Sequence, residues 1–170
     1  PKITDTGIKE MKTLTEFHCR DCENITDASI RELKTLTFLS CDHCPKITDA
    51  SIKELKSLDI FFCWNTQLIT DTSIKELKHL TRLLCYNCSK ITDKSIKELK
   101  KLVALAYDRS DGITGDSIEK LTLLEFLNCR GSKNITDDNI KNLKFLNGIE
   151  CLCCPNITET LCIEINNRKK

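Results

Sequence analysis

What the 170 residues lack is mainly catalytic and membrane machinery. There is no Gly-rich phosphate loop, no GxSxG elbow and no HExxH pair, so the local arrangements that cradle a phosphate, expose a serine nucleophile or hold a catalytic zinc are missing. No run approaches the roughly 20 apolar residues of a membrane helix, and no secretory h-region is present. Charge of either sign is not in excess: 26 basic and 25 acidic residues leave a net +1, and no basic stripe marks a nucleic-acid platform. Only three histidines occur, His18, His43 and His79, at different positions of the pattern described next. His18 adjoins Cys19, but alternate strand residues point to opposite faces, so the two cannot meet as base and nucleophile. No enzyme, cofactor or metal is expected, and neither nucleic acid nor membrane as a partner.

What is present is a repeat. Ile-Thr occurs at Ile3, Ile25, Ile47, Ile69, Ile91, Ile113, Ile135 and Ile157, always 22 residues apart, and Asp follows in all but two copies, which carry Gly115 and Glu159. Self-similarity at 20–29 residues is the mark of a solenoid built from stacked units. Counting from the first leucine of the unit, position 1 is Leu14, Leu36, Leu58, Leu80, Leu102, Leu124 and Leu146. Position 4 is Phe17, Leu39, Phe61, Leu83, Leu105, Leu127 and Ile149. Position 6 is Cys19, Cys41, Cys63, Cys85, Tyr107, Cys129 and Cys151. Position 9 is Cys22, Cys44, Thr66, Cys88, Ser110, Ser132 and Cys154.

Positions 4 and 6 have the alternation of a short strand with one buried face. Thr-Asp then supplies a helix start, capped by a side-chain oxygen. Position 17 (Ile8, Ile30, Ile52, Ile74, Ile96, Ile118, Ile140, Cys162) and position 20 (Met11, Leu33, Leu55, Leu77, Leu99, Leu121, Leu143, Ile165) lie three apart, on one helical face. Residues such as Lys53, Glu54 and Lys56 would face water. One unit cannot bury its apolar side alone, whereas a stack creates a continuous core under a parallel sheet. Seven strands about 4.8 Å apart would give a concave sheet roughly 30 Å long.

The LxxLxCxxCxxIT unit resembles the cysteine-containing class of leucine-rich repeats found in F-box substrate receptors of ubiquitin ligases, with a 22-residue length similar to the internalin type. The resemblance covers nearly the whole chain. It implies an α/β solenoid over residues 1–170, about seven repeats plus partial terminal units, with a parallel concave sheet and short convex helices. It also implies a binding role, as the substrate-recognition part of a ubiquitin ligase adaptor.

Twelve cysteines in this length raise a metal or disulfide alternative, because Cys19/Cys22, Cys41/Cys44, Cys85/Cys88 and Cys151/Cys154 have CxxC spacing. Thr66, Ser110 and Ser132 replace Cys at position 9, keeping a hydrogen-bond donor and losing a ligand. A structural ladder of reduced thiols is therefore expected, in the cytoplasm or nucleus. Adjacent parallel rungs rarely meet disulfide geometry. A metal- or redox-responsive protein stays as the rival reading. Cys153 is the thiol expected to be accessible. The sequons at Asn24, Asn87, Asn134 and Asn156 are read as accidental, three of them arising only because Asn precedes Ile-Thr.

Pro1-Lys2-Ile3 matches Pro45-Lys46-Ile47, so the chain opens partway through a unit and is expected to be a fragment with a cap or domain upstream. At the other end Asn166, Asn167, Arg168, Lys169 and Lys170 form a polar tail that could end the stack. Open ends would allow end-to-end self-association.

Positions 3, 5 and 7 point onto the concave face, where the units differ most. Phe38, Ile60, Phe62, Trp64, Arg82, Leu84, Tyr86, Phe126 and Arg130 are the expected partner-binding residues, with Trp64, Phe62, Tyr86 and Arg82 as anchors for another protein. Aromatic side chains can each bury about 150–250 Å², and such a patch exceeds what a soluble monomer usually exposes. The alternative for Trp64 is burial by a bend in the strand. Tyr107, far larger than Cys, either turns outward beside Ala104 and Ala106 or fills a widened core, and core is favoured.

Overall fold

The computed structural model describes residues 3–108 and 110–168. Seven short strands, β1 (Glu16–Arg20), β2 (Phe38–Asp42), β3 (Ile60–Trp64), β4 (Arg82–Tyr86), β5 (Ala104–Asp108), β6 (Phe126–Arg130) and β7 (Gly148–Glu150), form one parallel sheet in sequence order. Between them stand single-turn helices α1 (Asp5–Ile8), α2 (Asp27–Ile30), α3 (Asp49–Ile52), α4 (Asp71–Ile74), α5 (Asp93–Ile96), α6 (Gly115–Ile118) and α7 (Asp137–Ile140), and a longer α8 (Glu159–Asn167) ends the described chain. Every repeat position pairs with its own kind, Cys19 with Cys41 and Trp64 with Tyr86. No described helix is long and apolar enough to cross a membrane.

The core lies between sheet and helices. Leucines of positions 1 and 4 and isoleucines of positions 12 and 17 are buried along most of the stack. Met11 and Ile3, at the N-terminal end, depart from their series and are about half exposed (51% and 53%), because no described rung packs over them. Tyr107 is fully buried, as the core reading expects, and Trp64 is not.

Position 8 makes the bend out of the strand. Asp21, His43, Asn65, Asn87 and Cys153 have positive φ there, as does Gly131, in the left-handed region that Asn, Asp and Gly enter most readily. The chain turns sharply, and position 9 drops back under the sheet.

Thr caps the helix starts at Thr26, Thr48, Thr70, Thr92, Thr114 and Thr158, with the Thr48 hydroxyl accepting from the Ala50 N–H at 3.1 Å, while Thr4 makes no side-chain cap bond. The Asp beside it does something the sequence reading did not foresee. The Asp27 carboxylate reaches the next rung and accepts the Thr48 N–H (2.9 Å), the Thr48 hydroxyl (2.7 Å) and the buried Ser51 hydroxyl. Asp5 and Asp71 repeat the triad on Thr26 and Ser29 and on Thr92 and Ser95. Asp49, Asp93 and Asp137 make the threonine pair on Thr70, Thr114 and Thr158. Burial raises the Asp5 carboxyl pKa, but the bonds from Ser29 and Thr26 outweigh it and hold the group below its ordinary value. At Gly115 the carboxylate is missing. Asn139 replaces the usual Ser, and its carboxamide oxygen takes the Thr136 N–H and hydroxyl, both at 2.9 Å.

The C-terminal edge is sealed. Asn166 accepts the Ile149 N–H at 2.8 Å and donates to the Ile149 carbonyl at 3.2 Å, supplying with one carboxamide what an eighth strand would supply. Arg168 donates to the Leu143 and Leu146 carbonyls. Lys169 and Lys170, also assigned to the expected polar tail, lie outside the described residues.

Ten cysteines are free thiols, most of them buried. The CxxC neighbours do not face each other. Position 9 of one rung meets position 6 of the rung before, with Cys44, Cys88 and Cys154 donating to the carbonyls of Cys19, Cys63 and Cys129. Ser110 and Ser132 depart from this pattern, and their buried hydroxyls make no hydrogen bond among the described residues, whereas the Thr66 hydroxyl meets the Cys88 thiol at 3.3 Å. Desolvation pushes the Cys41 and Cys85 thiols well above their ordinary pKa, which disfavours the reactive thiolate. The expectation of a fully reduced ladder is corrected at one end, where Cys151 and Cys162 form a disulfide. β7 stops at Glu150, so Cys151 has left the strand and can turn toward α8. In the native protein a thiol reagent should modify exposed Cys153 fast and half-buried Cys22 more slowly, leaving the other free thiols silent until denaturant is added. Rapid modification of Cys41 or Cys85 would contradict this core.

Candidate protein-binding face

Strand alternation sets out three rows on the concave face, one residue per rung. All nine residues expected to bind a partner lie there. Trp64 is 45% exposed, and Arg82 and Arg130 are exposed, while Phe38, Ile60, Phe62, Leu84, Tyr86 and Phe126 are half-buried against their neighbours.

The aromatic rings are arranged in contact. His18 stacks on Phe38 with centroids 4.4 Å apart, and Phe38 meets Phe62 edge-on at 5.2 Å. Trp64 stands edge-on to Tyr86 at 6.4 Å, with His43 tilted against its other side at 5.7 Å and the Arg20 guanidinium 6.0 Å from its centre. Such pairs stabilise by about 0.5–1.5 kcal/mol beyond area burial. They hold the rings upright, so the patch is preorganised.

Beside the rings the surface drops. Ala104 lies in the floor of an open depression of about 680 Å³, walled by Phe62, Leu84 and Arg82 on one side and by Phe126 and Glu125 on the other. Arg130 stands apart from this group, in a second depression near Leu152, Cys153 and Ile157. Sequence reasoning missed His43 and Arg20 as supports of Trp64. The available signal was their repeat position at the strand end, His43 one unit before Trp64 and Arg20 two units before it at the same position 7, within reach of a long guanidinium side chain. Among the described residues, no three His, Cys, Asp or Glu side chains are grouped to hold a metal ion.

The fold is that of a leucine-rich repeat solenoid, and solved structures of that class superpose on it. An internalin (inlF) from Listeria monocytogenes str. 4b F2365 aligns with TM-score 0.70 at 18% identity, over 95% of this chain and 48% of its own. Within the class, the position-6 thiols make this the cysteine-containing type. The functional domain of InlJ from Listeria monocytogenes, which includes a cysteine ladder, aligns with TM-score 0.66 at 22% identity, over 89% of this chain and 33% of its own. Yeast Rad7, in a structure of its complex with Elc1, aligns with TM-score 0.65 at 20% identity, over 81% of this chain and 42% of its own. The chain spans less than half the length of each of the three. No protein-family model and no curated protein sequence matches it.

Proposed function

We propose that the protein is a binding module without catalytic activity, which captures another protein on its concave sheet. The observation that carries this reading is the central patch, where Trp64 remains 45% exposed although a soluble surface gains nothing from presenting an ordered aromatic cluster to water. Trp, Tyr and Arg at the centre of a surface are the residues that most often dominate binding energy. Among the described residues no Ser, Thr or Cys side chain is hydrogen-bonded to His18, His43 or His79, and the Lys101 amine that meets His79 at 3.3 Å does so on the exposed surface.

As a finer reading, the module serves as the substrate-recognition part of a ubiquitin ligase adaptor in the cytoplasm or nucleus. The repeat resembles that of F-box receptors, Rad7 is solved with Elc1, and ten free thiols suit a reducing compartment, against which the Cys151–Cys162 disulfide stands as the exception. End-to-end stacking through β7 would first have to displace α8.

The test is affinity capture from cell lysate under reducing conditions, comparing wild type with a Phe62→Ala/Trp64→Ala/Tyr86→Ala variant, with circular dichroism confirming that both fold. Partners held only by the wild type support the concave face. Equal capture by both would move binding to the convex helices and overturn the assignment.

A further inference from the structure

One row of the concave face carries a charge pattern that narrows the kind of partner. Position 7 of six successive strands reads Arg20, Asp42, Trp64, Tyr86, Asp108 and Arg130, with the register setting Arg20 beside Asp42, Trp64 beside Tyr86, and Asp108 beside Arg130. From either end the order is cation, anion, ring, ring, anion, cation. Among the described residues neither Asp42 nor Asp108 is in an ion pair, and Arg20 pairs only with exposed Asp21. The Ser40 hydroxyl donates to one oxygen of Asp42 (3.4 Å) and the Asn87 N–H to one oxygen of Asp108 (2.9 Å), which fixes both carboxylates in place on either side of the rings. The Tyr86 hydroxyl is pushed above its ordinary pKa by burial and then by the carboxylates of Glu150 and Asp108. A partner cation beside either carboxylate gains from it, and an apolar side chain fits against the rings between them.

Spacing decides what shape of partner matches the row. Six rungs at about 4.8 Å span about 24 Å. A helix with a stripe of six residues at alternating three- and four-residue steps covers about 26 Å at 1.5 Å per residue. An extended segment puts same-side residues about 6.6 Å apart and falls out of step within a few rungs. We propose that this row receives a helix of a partner protein, laid across the strands, whose stripe reads acid, base, apolar, apolar, base, acid. The inference rests on the concave face being the binding surface.

The probes are two synthetic helical peptides of identical composition and net charge. The matched one carries Glu, Lys, Leu, Leu, Lys and Glu along the stripe, and the swapped one Lys, Glu, Leu, Leu, Glu and Lys. Affinities for the 170-residue chain are measured at low salt by fluorescence anisotropy. The matched peptide should bind at least about tenfold more tightly, with the difference shrinking as salt rises; Asp42→Lys/Asp108→Lys, which leaves four cations in the row, should abolish the preference, and inverting all four charges (Arg20→Asp/Asp42→Arg/Asp108→Arg/Arg130→Asp) should reverse it. Asp42→Asn/Asp108→Asn, the milder change, should bring the two peptides toward equal affinity. Equal binding of both peptides to the wild type, preference for the swapped one, or no binding of either overturns the helix template. If lysate capture still depends on Phe62, Trp64 and Tyr86 in that case, the binding face stands and only its ligand is wrong. If the matched peptide wins but capture ignores the triple variant, the template stands and the concave capture of a lysate partner falls.

Discussion

Truncating Tyr107 to alanine is expected to lower the unfolding free energy by about 3–5 kcal/mol, the range for emptying an aromatic site in a core. The ring is fully buried at the position where six other rungs carry Cys, and it lies in β5, so the cavity would open inside the stack rather than at a fraying end. Each rung touches only its neighbours, and a weakened interior rung uncouples what lies on either side. Urea unfolding of Tyr107→Ala should therefore show a lower midpoint and a shallower transition. The hydroxyl behaves oppositely. It is buried near the Ser132 hydroxyl, which partly offsets the rise that burial gives its pKa, but it closes no hydrogen bond among the described residues, and an unsatisfied buried donor costs about 1–3 kcal/mol. Tyr107→Phe should be neutral or stabilising. A loss below about 1 kcal/mol in the alanine variant would show that the ring fills no essential volume.

The second large effect is a coupling between Gly115 and Asn139. A Cβ at 115 would overlap the Asn139 carboxamide, and that carboxamide satisfies Thr136 in place of the absent carboxylate. Asn139→Ser alone strips the Thr136 N–H of its partner and should cost about 1–2 kcal/mol, the usual loss of a helix cap. Gly115→Asp alone forces Asn139 out of its seat. The double variant restores the Asp-to-Thr arrangement of the other rungs and should be more stable than the sum of the single losses by about 1–3 kcal/mol. Additive losses in a double-mutant cycle by denaturant unfolding would mean that the two replacements are unrelated.

Much of this architecture was legible because the repeat has no insertions. The apolar positions 1, 4, 12, 17 and 20 are fixed by burial, and burial writes a period into the sequence. The concave rows were also legible, since strand alternation assigns Phe62 and Trp64 to the same face without further information. The Asp ladder was not, although Asp27, Ser29 and Thr48 were all visible in the pattern. Capping logic works within one helix, whereas the Asp27 carboxylate acts 21 residues away on the next rung. The bend at position 8 was likewise written in Asp21, Asn65, Asn87 and Gly131, but His43 and Cys153 take the same positive φ there without being residue types that announce it. Cys151 shows the limit of extrapolating a repeat to its last member. The pattern assigns it to a buried strand position, and the absence of a following described strand releases it.

The missing carboxylate at Gly115 divides the convex side mechanically. Five successive joints, from Asp5 on Thr26 to Asp93 on Thr114, are tied by side-chain bonds across the rungs. At the sixth joint Thr136 is bonded by Asn139 within its own helix instead, and the tie resumes with Asp137 on Thr158. Under tension along the stack, the strands would resist evenly while the outer side yields first at this seam. Across this seam the Gly115 N–H bond to the Asn134 carbonyl remains (3.0 Å), so the joint is loosened rather than cut, and its line runs behind β6, the strand whose Phe126 forms one wall of the Ala104 depression.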